Sequence, residues 1–214
     1  PFFYRDFFPP RDDIRWVMWD GMAGDSFIGR IIAREFRKAG LDTQYTGLSE
    51  WAIRENMWHI PYVTRFVDRK TDWYQEKRTR TQDDLVRDPC LTDPAYRAKL
   101  REDLLQAVQR VTRFGTGEFS LGDENHFVAG NFDLCMSPTC VADFREWAKR
   151  EYRGDLNALN KEYGTAYTSW EQVRPATLEE ARKSGNYAPW VDHRRHMETV
   201  WAGIHQYARE VIRE

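Results

Sequence analysis

The sequence lacks any apolar run near the ~20 residues a membrane-spanning helix needs, and its mean hydropathy is −0.76. It has little cysteine. Three residues in 214 cannot all pair with one another, which excludes a disulfide scaffold. Charge of neither sign is in excess: 32 Lys and Arg stand against 34 Asp and Glu, for a net charge of −2 and a pI of about 6.3. A nucleic-acid-binding domain usually carries a basic stripe or a high pI, so we expect neither a nucleic acid nor a membrane as partner. Also missing are a Gly-rich phosphate loop, a Gly-x-Ser-x-Gly nucleophile elbow and a Cys–His pair in a nucleophile's setting. No secretory signal is evident. The chain begins Pro1-Phe2-Phe3 without Met and closes on a charged helical pattern. We read both ends as cuts in something longer, which leaves the compartment open between cytoplasmic and secreted.

What the sequence has is aromatic mass. Twelve Phe, ten Tyr and nine Trp are far too many for a disordered chain, and 214 residues suffice to bury a core. Residues 1–13 are aromatic and Pro-broken, an extended lead-in. From residue 14 onward strands and helices alternate. Ile14 to Trp19 reads as a buried strand. Residues 26–39 carry Phe27, Ile31, Ile32 and Phe36 at helical spacing before the stop at Gly40. Leu41 to Thr46 is a second strand, a short helix follows near 49–56, and Met57 to Phe66 is a third strand. Residues 68–93 are polar and turn-rich, a long loop. Asp93-Pro94 then opens a helix with Leu100, Leu104, Val108 and Val111 on one stripe, ended by Gly115. Residues 118–122 make a fourth strand. Four strand–helix steps predict an α/β fold with a parallel sheet or barrel.

Beyond the fourth strand the pattern is wholly helical. Residues 138–152 place Val141, Phe144, Ala148 and Tyr152 on one face, and a short helix near 154–163 carries Leu156, Leu159 and Tyr163. Residues 188–213 place Trp190, Met197, Trp201, Ile204 and Val211 along one long helix. His193 and His196 sit at i, i+3 on that helix without an acidic or Cys partner at metal spacing, so a solvated face is the expectation.

The most informative point is Gly122-Asp123-Glu124-Asn125, where the fourth strand ends. Catalytic groups of parallel α/β barrels gather at the C-terminal ends of strands, and paired carboxylates there suit general acid–base work. The same residues would also serve a bland role, as turn caps or partners of a surface Arg.

Residues 119–207 then resemble the β-galactosidases of glycoside hydrolase family 42. The resembling strings are GDENHF, CMSPTCVADFREWAKREY, DLNALNKEYGTAYTSWEQV and the helix start WVDHRRHMETV, with RDPCLTDPAYR at 87–97 upstream. The resemblance implies a (β/α)₈ barrel that hydrolyses β-galactosides with retention through two glutamates. Glu124 matches the acid/base glutamate at the end of the fourth strand. Asp123 stands where the family has Asn, and an ionised Asp only accepts a hydrogen bond where Asn donates one. That departure bears on sugar preference. Asp123 and Asn125, with Trp19 and Asp20 at the end of the first strand, are candidate sugar contacts, Trp being a good stacking platform. Arg87 matches a substrate-contacting arginine, the competing reading being an Arg in a charged surface loop. The family's tryptophan segment has no counterpart after Gly164-Thr165-Ala166.

The nucleophile belongs on a seventh strand, ~5–5.5 Å from the acid/base carboxyl in a retaining enzyme. A whole barrel needs roughly 250 residues. Residues 14–214 are therefore expected to be its first four βα units plus a helical excursion, inactive alone. The resemblance implies no cofactor for catalysis, but zinc-bearing members hold a structural ion with one loop Cys and a Cys-x-Cys-x-x-Cys. Cys90, Cys135 and Cys140 match three of those four, and Ser137 replaces the other. Structural zinc takes four ligands, so His126 or Asp133 would have to join, or the cysteines pack as small apolar residues. The expected partner is an oligo- or polysaccharide, and many family members are homotrimers. A non-catalytic carbohydrate-binding or scaffold module is the competing reading.

Overall fold

The computed structural model describes residues 16–18, 26–45, 50–67, 85–112, 118–127 and 135–214. The lead-in, Trp19, Asp20, Asp133 and residues 68–84 of the expected loop lie outside them. The chain divides into two compact units, one of residues 1–65, 102–123 and 214, the other of 66–101 and 124–213.

In the first unit a parallel sheet is built in chain order from β1 (Val17–Met18), β2 (Thr43–Tyr45) and β3 (Trp58–Ile60). Val17 pairs with Thr43, and Thr43 with Trp58. Successive parallel strands need a crossover, supplied here by α1 (Phe27–Lys38) and α2 (Glu50–Arg54). The Ser26 hydroxyl accepts the Gly29 amide at 3.1 Å and starts α1, as an N-cap serine does. Ala33, Ala52 and Met57 are buried with Ile32, Phe36 and Trp51 packed on them. The expected apolar face of α1 is thus buried only in part, because Phe27, Ile28 and Ile31 stay exposed, Phe27 at 76%. Of the third expected strand, Trp58–Ile60 is regular. The fourth contracts to one parallel bridge between Tyr62 and Ser120. There Val63 N donates to Ser120 O at 3.0 Å, and Ser120 N to Pro61 O at 2.9 Å.

What ends that fourth segment is Gly122. Its φ is +107°, and a Cβ there would stand 2.7 Å from Thr64 O and 2.8 Å from the Arg65 Cα. Only a residue without a side chain fits backbone against backbone this closely. The turn is closed by Arg65 Nε, which donates to Asp123 O at 2.9 Å.

The helix α3 (Pro94–Thr112) buries Leu100, Leu104 and Val111 as its spacing predicts. The second unit contains α4 (Pro138–Glu151), α5 (Leu156–Tyr163), a 3-10 turn at Trp170–Gln172, α6 (Leu178–Ser184) and α7 (Ala188–Arg213). Asp155 caps α5 by accepting the Asn157 and Ala158 amides, and Gly164 ends it with φ +65°. Phe144, Trp147, Ala148, Leu159, Tyr163 and Val173 form the core of this unit. Thr177 and Glu180 open α6 with a reciprocal capping box of the Ser/Thr-x-x-Glu kind.

His193 and His196 are not on a solvated face. They are 2% and 1% exposed, their rings stack at 6.2 Å between centroids, and Phe144 meets each edge-on at 5.6 Å. His196 Nε2 donates to Asp143 Oδ2 at 2.8 Å. Asp192, also buried, accepts the hydroxyls of Tyr152 at 2.8 Å and Tyr163 at 3.0 Å. The helix therefore buries its polar residues at its start and apolar ones (Met197, Val200, Ile204, Ala208, Val211) further on.

Two predictions follow from these placements. Gly122→Ala forces a side chain into a positive-φ position, which costs about 1–3 kcal/mol, and into the main chain of residues 64–65. Chemical denaturation is expected to show a loss of at least about 1 kcal/mol, and an unchanged midpoint would contradict this account of the turn. Burial, reinforced by His196, pushes His193 down to about 3 from its ordinary value near 6.5. A group depressed on folding takes up protons preferentially in the unfolded chain, so its contribution is present above pH 6.5 and is lost as pH falls towards 3. Stability should fall across that window with a slope of up to about 1.4 kcal/mol per pH unit. His193→Phe should flatten the slope, and an identical slope in the variant would contradict it.

Candidate active site and thiol cluster

Glu124 emerges from the Gly122 turn with an exposed side chain and a φ of +48°. Non-glycine residues pay a steric cost in that region. Among the described residues two others share it, Asn56 and Arg153, but each lies just past a helix C-terminus, where left-handed residues are ordinary. Glu124 has no helix behind it. Its conformation is imposed by its neighbours, and imposed backbone strain of this sort concentrates at functional sites.

The neighbours are pinned one by one. Asn125 Oδ1 accepts the Phe66 amide at 2.7 Å. His126 N donates to Phe66 O at 3.0 Å, and its Nδ1 donates to Glu124 O at 2.8 Å. Behind them sits Arg87, 1% exposed. Its Nε donates to Phe127 O at 2.7 Å, its Nη2 to His126 O at 3.2 Å and its Nη1 to Pro89 O. The guanidinium also lies 5.5 Å from the Phe127 ring centroid, a cation–π distance. Hydrogen bonds from a charged donor contribute about 1.5–3 kcal/mol each, so Arg87 is a strong clamp on the backbone after Glu124. Phe66, Phe127, Trp201 and His205 pack edge-on in one aromatic cluster, with centroids 4.7–6.3 Å apart.

Arg87 is thus placed inside the fold, and Asn125 has its carbonyl oxygen engaged by main chain. Sequence reasoning did not reach this bracing. Phe66 is far from Glu124 in the chain, and no spacing rule links them. Asp123 is half-buried, with its carbonyl held by Arg65.

The three cysteines come together as expected. Their sulfur atoms all lie within 4.8 Å of one another, with Cys90 at 3.6 Å from Cys140 and 3.7 Å from Cys135. Cys135 and Cys140 are buried and Cys90 half-buried. Hydroxyls surround them: Thr92, Ser137 and Thr139 oxygens stand 3.1–3.3 Å from Cys90 Sγ, and the Thr92 hydroxyl donates to Cys140 Sγ at 3.2 Å. Hydrogen bonds from Cys135 and Cys140, then Ser137 and Thr139, outweigh burial and hold the Cys90 thiol well below its usual range. Hydrogen bonding with Cys135 and Cys90, with burial, pushes Cys140 up. For Cys135 the bond with Cys140 acts downward, but the bond with Cys90 and burial prevail, and it too is raised.

As a donor set this fits a thiophilic ion such as zinc, since three thiols converge and hydroxyls are on hand to support the sulfurs. Among the described residues no fourth His, Cys, Asp or Glu atom joins them at that spacing. His126 is not brought in, and Asp133 lies outside the described residues. Ser137, in the place of the missing cysteine, accepts the Cys140 amide at 3.1 Å and caps α4. The hydroxyls of Thr92 and Thr139 were legible in the sequence only as neighbours of Cys90 and Cys140.

Comparison with known proteins comes to one family. No curated protein matches the chain. Among solved structures, a catalytic mutant of Gan42B, described as a GH42 β-galactosidase from G. stearothermophilus, is 16% identical with a TM-score of 0.45, covering 86% of this chain and 34% of that one. A second structure of Gan42B is 15% identical with a TM-score of 0.43, covering 80% and 31%. The chain spans about a third of the length of these structures. Residues 66–214 match the family model of the glycoside hydrolase family 42 β-galactosidases, and that match, which takes in Arg87, Glu124 and all three cysteines, makes the chain a member of glycoside hydrolase family 42.

Proposed function

We propose that this chain is the N-terminal half of a (β/α)₈ barrel, its first four βα units with a helical excursion, in a retaining glycosidase of β-galactosides or related β-glycosides. Glu124 is its general acid/base. The observation that carries this is the placement of Glu124: an exposed carboxyl in left-handed backbone, two residues past a glycine turn that follows the bridged segment at Ser120. In parallel α/β barrels this strand end faces the substrate mouth. The three parallel pairings of four segments in chain order support the half-barrel. So does the uncovered apolar side of α1, with Phe27, Ile28 and Ile31 exposed.

In this reading Glu124 protonates the leaving oxygen and then deprotonates the incoming water, while the nucleophilic carboxylate comes from a later strand outside these residues. Asp123, Asn125 and Trp19 contact the sugar, and Arg87 serves recognition by fixing the main chain on which Glu124 and Asn125 are presented. An oligo- or polysaccharide is the substrate, and a homotrimer the assembly. The reaction draws on carboxyl groups and no cofactor. Cys90, Cys135 and Cys140 hold a structural zinc ion, whose contribution is to tie the segment at Cys90 to the start of α4. These residues alone lack the second carboxyl and are inactive.

The aspartate at 123, where Asn is usual, and the engaged side chains of Arg87 and Asn125 favour a second reading, a carbohydrate-binding or scaffold module without catalysis. One variant separates the two. In the intact protein carrying this chain, Glu124→Gln should lower kcat/KM on an alkyl β-galactoside by about 10²–10⁴-fold, the usual worth of a positioned general acid. The loss of kcat/KM should shrink for an aryl galactoside whose leaving group needs no proton. Unchanged turnover of both substrates would sink the glycosidase reading and leave the binding module.

A further inference from the structure

The three thiols are nucleophilic side chains to which the glycosidase reading gives no part in the reaction. Cys90 Sγ stands 3.6 Å from Cys140 Sγ and 3.7 Å from Cys135 Sγ, so it touches both. Sulfurs 3.6 Å apart need to close by only roughly 1.5 Å to reach the length of a disulfide bond. The three differ in access. Cys135 and Cys140 are 1% and 0% exposed, whereas Cys90 is half-buried and is the sulfur that a small oxidant in water meets first. Hydroxyls of Thr92, Ser137 and Thr139 stand 3.1–3.3 Å from it. They are hydrogen-bond partners for an oxygen that the sulfur gains and then sheds. Thr92 Oγ1 lies 3.2 Å from both Cys90 Sγ and Cys140 Sγ, so a single hydroxyl spans that pair.

We propose that Cys90 and Cys140 are a redox-active pair, closed to a disulfide by a peroxide and reopened by a thiol. The Cys90 sulfur attacks one peroxide oxygen: an S–O bond forms, the O–O bond breaks, and the departing hydroxide leaves as water with the Cys90 thiol proton. Cys140 then attacks the Cys90 sulfur. The S–S bond forms, the S–O bond breaks, and the second oxygen leaves as water with the Cys140 proton. Two thiols are oxidised and one peroxide is reduced to two waters. Reopening is thiol–disulfide exchange, in which the added thiol is oxidised in turn. The inference concerns the chain without bound metal and does not rest on the glycosidase reading. An ion held by the same sulfurs would compete with the bond between them.

The test uses the full chain, reduced, freed of metal with a chelator, separated anaerobically from both reagents and given one equivalent of hydrogen peroxide. Remaining thiols are alkylated in denaturant and counted by intact mass. The native chain should fall from three free thiols to one while staying monomeric, and digestion should recover the Cys90 and Cys140 peptides as one linked species. Dithiothreitol should restore all three thiols. Cys90→Ser should keep both of its remaining thiols under the same treatment, because the exposed sulfur that meets the oxidant is gone. The native result stands by itself if that variant fails to fold. A native chain that keeps its three thiols, gains oxygen without a cross-link, or joins Cys90 to Cys135 overturns the pair. A folded Cys90→Ser chain that links Cys135 to Cys140 at the native rate overturns the role of Cys90.

Discussion

A guanidinium buried to 1% exposure is the constraint around which the candidate active site is arranged. A charge taken out of water must be met by fixed dipoles, and Arg87 finds them in the carbonyls of Pro89, His126 and Phe127. Those carbonyls are thereby held in place. Two of them belong to the residues just after Glu124 and Asn125, so the cost of burying Arg87 and the rigidity of the segment that carries Glu124 are one fact seen from two sides. The bonds between Phe66 and residues 125–126 complete the hold on that segment. Glu124 itself adopts a backbone conformation that a free chain would seldom visit.

The same logic explains why one turn tolerates only glycine. Gly122 passes within contact of the Thr64 and Arg65 main chain, and the bridged segments at Tyr62 and Ser120 run side by side up to it. In the other unit, polar burial is handled by pairing. Asp192 is shared by two tyrosines, and His196 by Asp143. His193 is kept neutral instead, by burial first.

Much of this was legible in the sequence. Alternation of apolar runs and helical stripes gave the parallel α/β order, and Gly122-Asp123-Glu124-Asn125 marked the strand end. The resemblance to family 42 implied the cysteine cluster. What was not legible has physical reasons. Strand length depends on how many main-chain pairs a neighbour completes, so the fourth strand shrank to a bridge at Ser120. His193 and His196 read as polar, and their burial is met by partners distant in the chain, among them the ring of Phe144 and the carboxylate of Asp143. Phe27 and Ile31 share a helical face in the sequence, yet Gly29 and Ala33 lie buried because small residues let the helix approach its neighbours. The role of Arg87 depended on contacts about 40 residues away, beyond any local pattern.

The central claim, that Glu124 is the acid/base of a retaining glycosidase, is tested most directly by replacing it with alanine in the intact protein and adding azide. A small anion that needs no general base can then occupy the space vacated by the carboxyl and attack the glycosyl-enzyme intermediate. The account predicts that Glu124→Ala turns over an activated aryl β-galactoside slowly, that azide restores the rate, and that the product is a galactosyl azide of retained β configuration. A variant that hydrolyses the substrate at the native rate, or one that azide leaves unrescued, would contradict it.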